Sequence, residues 1–300
     1  MLILSSSASS CFCYRPLSVS SSLMDSTTNN NNKFMEFPFV SSSHKTLMVD
    51  LVSTLENRFH SQLLPSTLPN DVSHYQSQTG SAQASLHIRA AQPHSPIDFV
   101  LGSWVHSELP TGGSFDITSL SAYLNTSTDA PNFVFEIIRN SPTTLVLILD
   151  LPPRKDPVLW PDYLHTFYDD TQLDTHRQAL QTLPEVQPYF SSSLFIRAVS
   201  SPTGILVRIQ TVDGGEERME EIIAKHLDPV SKQVLGIWLD KCASAKREVG
   251  DEEREYLKKR DGVIRNKTIE VDLGSSFPRL FGPEVANRVL GVIKDYFRVS

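Results

Sequence analysis

The 300-residue chain has few cysteines, and two of its three thiols, Cys11 and Cys13, lie near the N-terminus. The third, Cys242, cannot form an internal disulfide, a CxxC redox pair or an iron–sulfur site alone. This scarcity favours a reducing compartment, and the helical pattern around Cys242 indicates a packing role. No apolar run reaches the roughly 20 residues that a membrane-spanning helix needs. The sequence therefore predicts no transmembrane segment.

Motifs for tightly bound cofactors are missing from the sequence. It has no GxGxxG dinucleotide fingerprint, no GxxxxGK[ST] phosphate loop, no HExxH and no cysteine-rich metal cluster. GxSxG is absent too, which disfavours an α/β-hydrolase. The nine histidines are scattered without ligand spacing. We therefore expect no bound metal, flavin or nicotinamide, so a reductase built on this chain would need an external electron donor.

Composition separates a leader from a folded region. Met1–Met24 is rich in Ser, lacks Asp and Glu, and has Arg15 as its only charge. This pattern is typical of a chloroplast transit peptide, with an ordinary disordered tail as the alternative. A polar linker follows, so we expect residues 1–33 to be transit peptide and linker and residues 34–300 to form a single domain. The formal net charge of −7 argues against a nucleic-acid-binding surface.

Hydrophobic periodicity predicts the elements of this domain. Strands are expected at 84–89, 97–107, 115–123, 132–139 and 143–151, and a further hairpin at 194–199 and 205–210. Helices are expected through Leu47, Leu51, Leu55 and Phe59, and over 170–183, 216–226, 229–246, 250–260 and 283–297. Consecutive strands with short connections favour an antiparallel sheet, and the helices at both ends would cover its two faces.

The hairpin NFVFEIIRNSPTTLVLILDLPPRKD, which starts at Asn132, contains a candidate catalytic residue. Alternation places Val134, Glu136 and Ile138 on one face of its first strand. The return strand is apolar on both faces, so both faces of the sheet should be covered. A carboxyl group between aliphatic neighbours is costly to ionise, which makes Glu136 a candidate proton donor near neutral pH. The alternative is a buried acid satisfied by an Arg or a backbone amide.

Several long strings resemble the red chlorophyll catabolite reductases of plants. They are KFMEFPFVSSSHKTLMVDL, SAQASLHIR, SPIDFVLGSW, LVLILDLPPRKD with the following PDYL, and FPRLFG. The resemblance runs from Lys33 to the C-terminus. It implies an α+β fold, a three-layer α/β/α sandwich with a central, mainly antiparallel sheet, like that of the ferredoxin-dependent bilin reductases.

The resemblance also implies an activity. A reductase of this family is an oxidoreductase acting on CH–CH groups with ferredoxin as electron donor. It reduces a double bond of the open-chain tetrapyrrole red chlorophyll catabolite to give the primary fluorescent chlorophyll catabolite. Two acids of the family lie close to that bond, and they match Glu136 and Asp272 here. Taken alone, Asp272 could be an ordinary loop acid or a helix N-cap.

Further side chains are candidates for holding the tetrapyrrole. They are Ser85, His87, Arg89, Ser103, Phe195 and Arg197. The first three alternate with apolar residues and so point to one face of their strand. An Arg on a sheet face suits a propionate group by bidentate hydrogen bonding, and the equal alternative for Arg89 is a salt bridge at the rim of the sheet.

Partners are implied by the resemblance as well. They are ferredoxin, a second copy of the chain in a homodimer, and the upstream pheophorbide oxygenase, in the chloroplast stroma with peripheral association with thylakoid complexes. Ferredoxins are acidic, so docking needs a local basic patch. The candidates are Lys241, Lys246, Arg247, Arg254, Lys258, Lys259, Arg260, Arg265 and Lys267. Because acids are interleaved with them, a solvated helix with i,i+4 ion pairs is the alternative.

Two other functions fit parts of this pattern. A non-catalytic protein that binds and shields a linear tetrapyrrole would need the same pocket but not the acids. An unrelated hydrolase or lyase could use Asp and His in the same cleft, although the missing nucleophile motif disfavours it.

Overall fold

The computed structural model describes residues 29–110 and 112–299, so the predicted leader at 1–24 lies outside the described residues. The helices are α1 (Asn29–Glu36), α2 (Ser42–Arg58), α3 (Asn70–Ser73), α4 (Pro161–Leu164), α5 (Leu173–Leu180), α6 (Leu194–Val199), α7 (Gly215–Ile222), α8 (Asp228–Ile237), α9 (Asp251–Thr268), α10 (Gly274–Phe281) and α11 (Pro283–Phe297). π-helical turns follow four of them, at His165–Asp169, Ile223–Leu227, Trp238–Ala243 and Ile269–Leu273. Within the described ranges, no helix is long and apolar enough to cross a membrane.

Within the described residues, an antiparallel sheet of eight strands forms the middle layer. Its strands are β1 (His74–Gln76), β2 (Ala82–Ala90), β3 (Ile97–Glu108), β4 (Ser114–Leu124), β5 (Phe133–Ser141), β6 (Thr144–Asp150), β7 (Val186–Pro188) and β8 (Ile205–Gln210). The spatial order is β1-β2-β3-β4-β5-β6-β8-β7. The first six strands are therefore neighbours in chain order, as their short connections predict.

Helices cover both faces of this sheet. On one face, Leu51 of α2 and Leu235 of α8 pack with Leu147 of β6 in one hydrophobic cluster. On the other face, Phe277 of α10 and Ile293 of α11 pack in a second cluster. The two faces are called the α2 face and the α11 face below. This arrangement confirms the predicted three-layer sandwich, and it explains why β5 and β6 are apolar on both sides.

The predicted hairpin at 194–199 and 205–210 is wrong in its first half. Residues 205–210 do form β8, but Leu194–Val199 forms α6. Ser193 caps this helix, because its hydroxyl accepts a hydrogen bond from the backbone N–H of Ile196. The place beside β8 that the hairpin would have taken belongs to β6 on one side and to β7 on the other.

The start of the folded region packs closely on the sheet. Phe34 lies over Gly102 of β3, where an added β-carbon would come within 2.5 Å of the phenyl ring. The ring also stacks on His87, and the backbone oxygen of Phe34 accepts a hydrogen bond from the indole of Trp104. Gly102 is therefore required for space. The domain boundary at residue 33 stays a prediction.

A buried ion pair joins α9 to the loop after β6. Arg154 is 1% exposed and donates two hydrogen bonds to the carboxylate of Asp261, at 3.2 and 2.6 Å. It also donates to the backbone oxygens of Asn125 and Thr128. Each of the three guanidinium nitrogens thus has an acceptor, and the two hydrogen bonds to Asp261 hold α9 in place.

Arg154→Met should destabilise the protein by about 3–5 kcal/mol, because it leaves Asp261 buried without its guanidinium partner. Arg288→Met is the control, since the Arg288–Asp71 pair is exposed and should cost less than about 1 kcal/mol. Urea unfolding followed by circular dichroism measures both values. Equal costs for the two variants would contradict a structural role for the buried pair.

Candidate active site

A cleft opens on the α11 face of the sheet, between the ends of β4, β5 and β6 and the helices α6 and α9. It encloses about 750 Å³, counted to its open mouth. Its lining residues are Tyr123, Asn132, Val134, Ile148, Asp150, Pro152, Pro153, Phe195, Ile196, Val199, Ser200, Ile264, Thr268 and Asp272. Most of these side chains are apolar, and the two carboxyl groups among them belong to Asp150 and Asp272. Such a pocket suits a largely apolar ligand with few polar groups.

Asp272 enters the cleft from the π-helical turn Ile269–Leu273, which separates α9 from α10. The backbone N–H of Gly274 donates to the oxygen of Ile269, five residues earlier, as this geometry requires. A β-carbon at Gly274 would lie 3.1 Å from that same oxygen. Pro278 follows inside α10 and cannot donate a backbone hydrogen bond. The alternative prediction for Asp272, an ordinary loop acid or a helix N-cap, is wrong, because the residue lies inside a π-helical turn.

The environment of Asp272 keeps its proton in place near neutral pH. The residue is 3% exposed, and its Oδ2 atom has no hydrogen-bond partner among the described residues. Burial raises the pKa of Asp272 to about 8, and the negative charge of Glu136 acts in the same direction. A buried carboxyl group with its proton can act as a general acid.

Glu136 lies on the same face, one position deeper than the cleft lining. Its side chain is fully buried on β5, between Val134 and Ile138 as alternation predicts. Ser119 of β4 and Ile148 of β6 are its cross-strand neighbours. Since Val134 and Ile148 line the cleft, Glu136 adjoins its floor, and its charge acts on Asp272 across the space between sheet and helix.

Three of the predicted substrate ligands lie on the opposite side of the sheet. Ser85, His87 and Arg89 do share one face, but it is the α2 face. Ser85 donates to the backbone oxygen of Ser73, whereas His87 and Arg89 both contact the carboxylate of Glu56. Arg89 thus makes the salt bridge that the alternative predicted, and none of the three reaches the cleft that contains Asp272.

The other predicted ligands have three different positions. Phe195 lies in the wall of the cleft, whereas Arg197 points outward from α6 and is exposed. Ser103 is on the α11 face of β3, where its hydroxyl is 2.8 Å from that of Ser119, the neighbour of Glu136. Phe195 therefore contacts the cleft, Ser103 is hydrogen-bonded to the cross-strand neighbour of Glu136, and Arg197 does neither.

Sequence reasoning missed several lining residues. Asp150 shares the face of Ile148 by alternation, so its position at the end of β6 was a usable signal. Ile264 and Thr268 are four residues apart, but the predicted helix ended at residue 260 instead of Thr268. Tyr123 and Val199 have no motif, and only the packing of β4 and α6 brings them together.

Asp272 should make stability depend on pH. Its folded pKa of about 8 exceeds its ordinary value of 3.8, so between those limits the folded state holds a proton that the unfolded chain releases. Stability from this group must therefore fall as pH rises through that window. Asp272→Asn should stabilise the fold by about 1–3 kcal/mol near pH 8.5 and by less near pH 5. Thermal unfolding at both pH values measures this.

The control for that measurement is Asp174→Asn at the surface. The Arg177 hydrogen bond lowers the pKa of Asp174, so the loss of its charge should not stabilise the fold at high pH. An equal gain for Asp272→Asn at both pH values would contradict the raised pKa.

The chain is similar to known proteins over most of its length. The family model described as "Red chlorophyll catabolite reductase (RCC reductase)" matches residues 43–295. The red chlorophyll catabolite reductase, chloroplastic, of Arabidopsis thaliana is 53% identical over 95% of this chain and 90% of its own length. Red chlorophyll catabolite reductase 1, chloroplastic, of Oryza sativa subsp. japonica is 45% identical over 86% of this chain and 79% of its own.

A solved structure shows the same fold at low sequence identity. Phytochromobilin synthase from tomato, in complex with biliverdin, superimposes with a TM-score of 0.62 at 17% identity and covers 85% of this chain and 82% of its own. This likeness confirms the predicted bilin reductase-like sandwich. With a family model over most of the described domain and a relative at 53% identity, the chain belongs to the red chlorophyll catabolite reductase family.

Proposed function

We propose that this protein reduces a double bond of red chlorophyll catabolite to give the primary fluorescent catabolite, with reduced ferredoxin as the electron donor. The observation that carries the proposal is a pair of buried acids at an apolar cleft, one of which keeps its proton near neutral pH. Family membership supports the substrate class and an oxidoreductase activity. Ferredoxin as the donor rests on the resemblance.

The chemistry needs two electrons and two protons for each double bond. Ferredoxin delivers one electron at a time, so the conjugated substrate would hold the unpaired electron after the first transfer. Asp272 is protonated near neutral pH and lies in the cleft wall, which suits it to give a proton to a carbon of the substrate. Glu136, beside the floor, is the second acid, which could orient the substrate or relay a second proton after taking it up.

The cleft also supplies placement and shielding. Val134 and Ile148 form its floor, and Phe195 and Ile196 form a side wall, so a flat, conjugated ligand would contact apolar groups on several sides. These walls limit the access of water to a reactive radical intermediate. Ser119, the cross-strand neighbour of Glu136, is itself hydrogen-bonded to Ser103 on the next strand.

Anaerobic turnover tests the function directly. The purified protein is mixed with red chlorophyll catabolite, with and without reduced ferredoxin, and blue fluorescence is recorded. A fluorescent product only with ferredoxin supports the proposal. Tight binding without product would favour the shielding protein instead, and product without any reductant would favour a hydrolase or lyase.

Glu136→Gln and Asp272→Asn should each reduce kcat by about 100-fold or more, because proton transfer by a placed acid contributes roughly that much. Substrate binding should change little, since both replacements keep the shape of the side chain. Asp116→Asn is the matched control, a buried acid of the same sheet that pairs with His106 on the α2 face. Unchanged turnover in both acid variants would contradict their catalytic role.

The basic patch proposed for ferredoxin is smaller in the structure than in the sequence. Arg247 and Arg265 are held by Asp129 and Asp98. Lys258 and Lys259 remain exposed on the outer side of α9, with Lys258 only 3.9 Å from Glu255. The inner side of the same helix lines the cleft through Ile264 and Thr268, so a donor that docks here would have a short path to the substrate.

Replacing Lys258, Lys259 and Arg260 by Glu should raise the KM for ferredoxin about tenfold at low salt, with a weaker salt dependence, because complementary charge mainly governs encounter. The control triple variant is Lys45, Lys225 and Lys232 to Glu, on the helices of the α2 face. The rate of ferredoxin-supported turnover against salt concentration separates the two. Identical salt curves for both triple variants would contradict docking on α9.

A further inference from the structure

One wall of the cleft is formed by a short helix that is not stable by itself. Helix α6 has six residues and none of them is buried. Phe195, Ile196 and Val199 line the cleft, whereas Leu194 is 74% exposed. Isolated helices of this length are unstable in water, so attachments outside the helix must fix this wall.

The C-terminal end of α6 is attached to the sheet through Asp150, the last residue of β6. The backbone N–H of Ser201 donates to Asp150 Oδ2 at 2.9 Å, and the Ser201 hydroxyl donates to Oδ1. Both residues are buried, at 4% and 9% exposure. Asp150 and Ser200 themselves line the cleft, so these hydrogen bonds join the side wall to the floor at the edge of the ligand space.

The segment after α6 also packs closely against the carboxyl group of Asp150. A β-carbon on Gly204 would lie 3.1 Å from both Cγ and Oδ1 of Asp150, and 2.9 Å from the Leu206 side chain. A larger residue at this position would therefore displace the carboxyl group or the backbone. Gly204 thus provides the space that lets the segment 201–204 close over Asp150.

We propose that Asp150 is a positioning residue of the cleft, which fixes α6 through Ser201 and thereby sets the apolar wall against which the tetrapyrrole packs. The identity of the ligand rests on the proposed function, whereas the attachment itself does not. In this role Asp150 acts through α6 and not on the reacting atoms, since its two oxygens accept hydrogen bonds from Ser201.

The charge state of Asp150 agrees with this role. Burial raises the pKa of Asp150 to about 6, against the opposing effect of the Ser201 hydrogen bonds. Near neutral pH the carboxylate form therefore prevails, and each oxygen can accept a charge-assisted hydrogen bond.

Hydrogen exchange of the ligand-free protein tests the attachment. In Asp150→Ala and Ser201→Ala, the backbone amides of 194–203 should exchange about tenfold faster, as expected for the loss of one or two net hydrogen bonds. Asp150→Asn keeps one acceptor oxygen and should show a smaller increase. Ser77→Ala is the control, a buried turn serine at the far edge of the sheet, between β1 and β2. Unchanged exchange at 194–203 in the Ala variants would overturn the proposal.

Gly204→Ala provides a second, independent variant. It keeps both Asp150 and Ser201 but fills the space beside the carboxyl group, so the carboxyl group or the backbone must move. We expect the same faster exchange at 194–203. Wild-type exchange in this variant would show that the close fit around Asp150 does not hold the wall, and would count against the proposal.

Kinetics then separate positioning from chemistry. Asp150→Ala and Ser201→Ala should raise the KM for the red catabolite about tenfold and lower kcat by less than about threefold, because Glu136 and Asp272 stay in place. Asp150→Asn should recover part of the KM. A loss of kcat at unchanged KM would overturn the positioning role. If the wild type shows no turnover, the proposed function fails while the exchange measurement still decides the attachment.

Discussion

The cost of holding carboxyl groups in an apolar layer is the constraint on which the rest of this structure depends. Glu136 is fully buried, and burial raises the pKa of Asp272 to about 8. Such groups stay out of water only if the layers around them cannot separate. Two buried ion pairs, Arg154–Asp261 and Arg265–Asp98, attach α9 to the sheet and to its loops. The helix that leads to Asp272 is thereby held to β3 and to the loop after β6.

Polar side chains on the two faces of the sheet have different surroundings, although they look alike in the sequence. On the α2 face, polar residues such as His87 and Arg89 contact Glu56, and Phe34 stacks on His87. On the α11 face, the space above Ile148 stays open as the cleft. A strand presents both sets of side chains in alternation, so the face that keeps a cleft is the one where the covering helices leave room.

The cleft combines a rigid floor with a wall of few attachments. The floor belongs to β5 and β6, whose hydrogen bonds to neighbouring strands run along most of their length. The wall is α6, joined to the floor by the Asp150–Ser201 contact. Elements of low local stability are common where ligands enter and leave. A buried acid on the floor side, Glu136, and a lightly held wall are therefore compatible in one site, because the sheet carries the acid and a separate short helix forms the wall.

The sequence alone determined the five central strands, the two-sided burial of β5 and β6, and the placement of Glu136 among aliphatic neighbours. These follow from periodicity within single segments, which is a local property of the chain. The resemblance added Asp272 and the fold. Tertiary structure decided that Ser85, His87 and Arg89 lie across the sheet from the acids, that Leu194–Val199 is a capped helix, and that Asp150 joins the cleft. Each of these depends on which helix covers which face, and therefore on contacts between residues far apart in the chain, which no local pattern records.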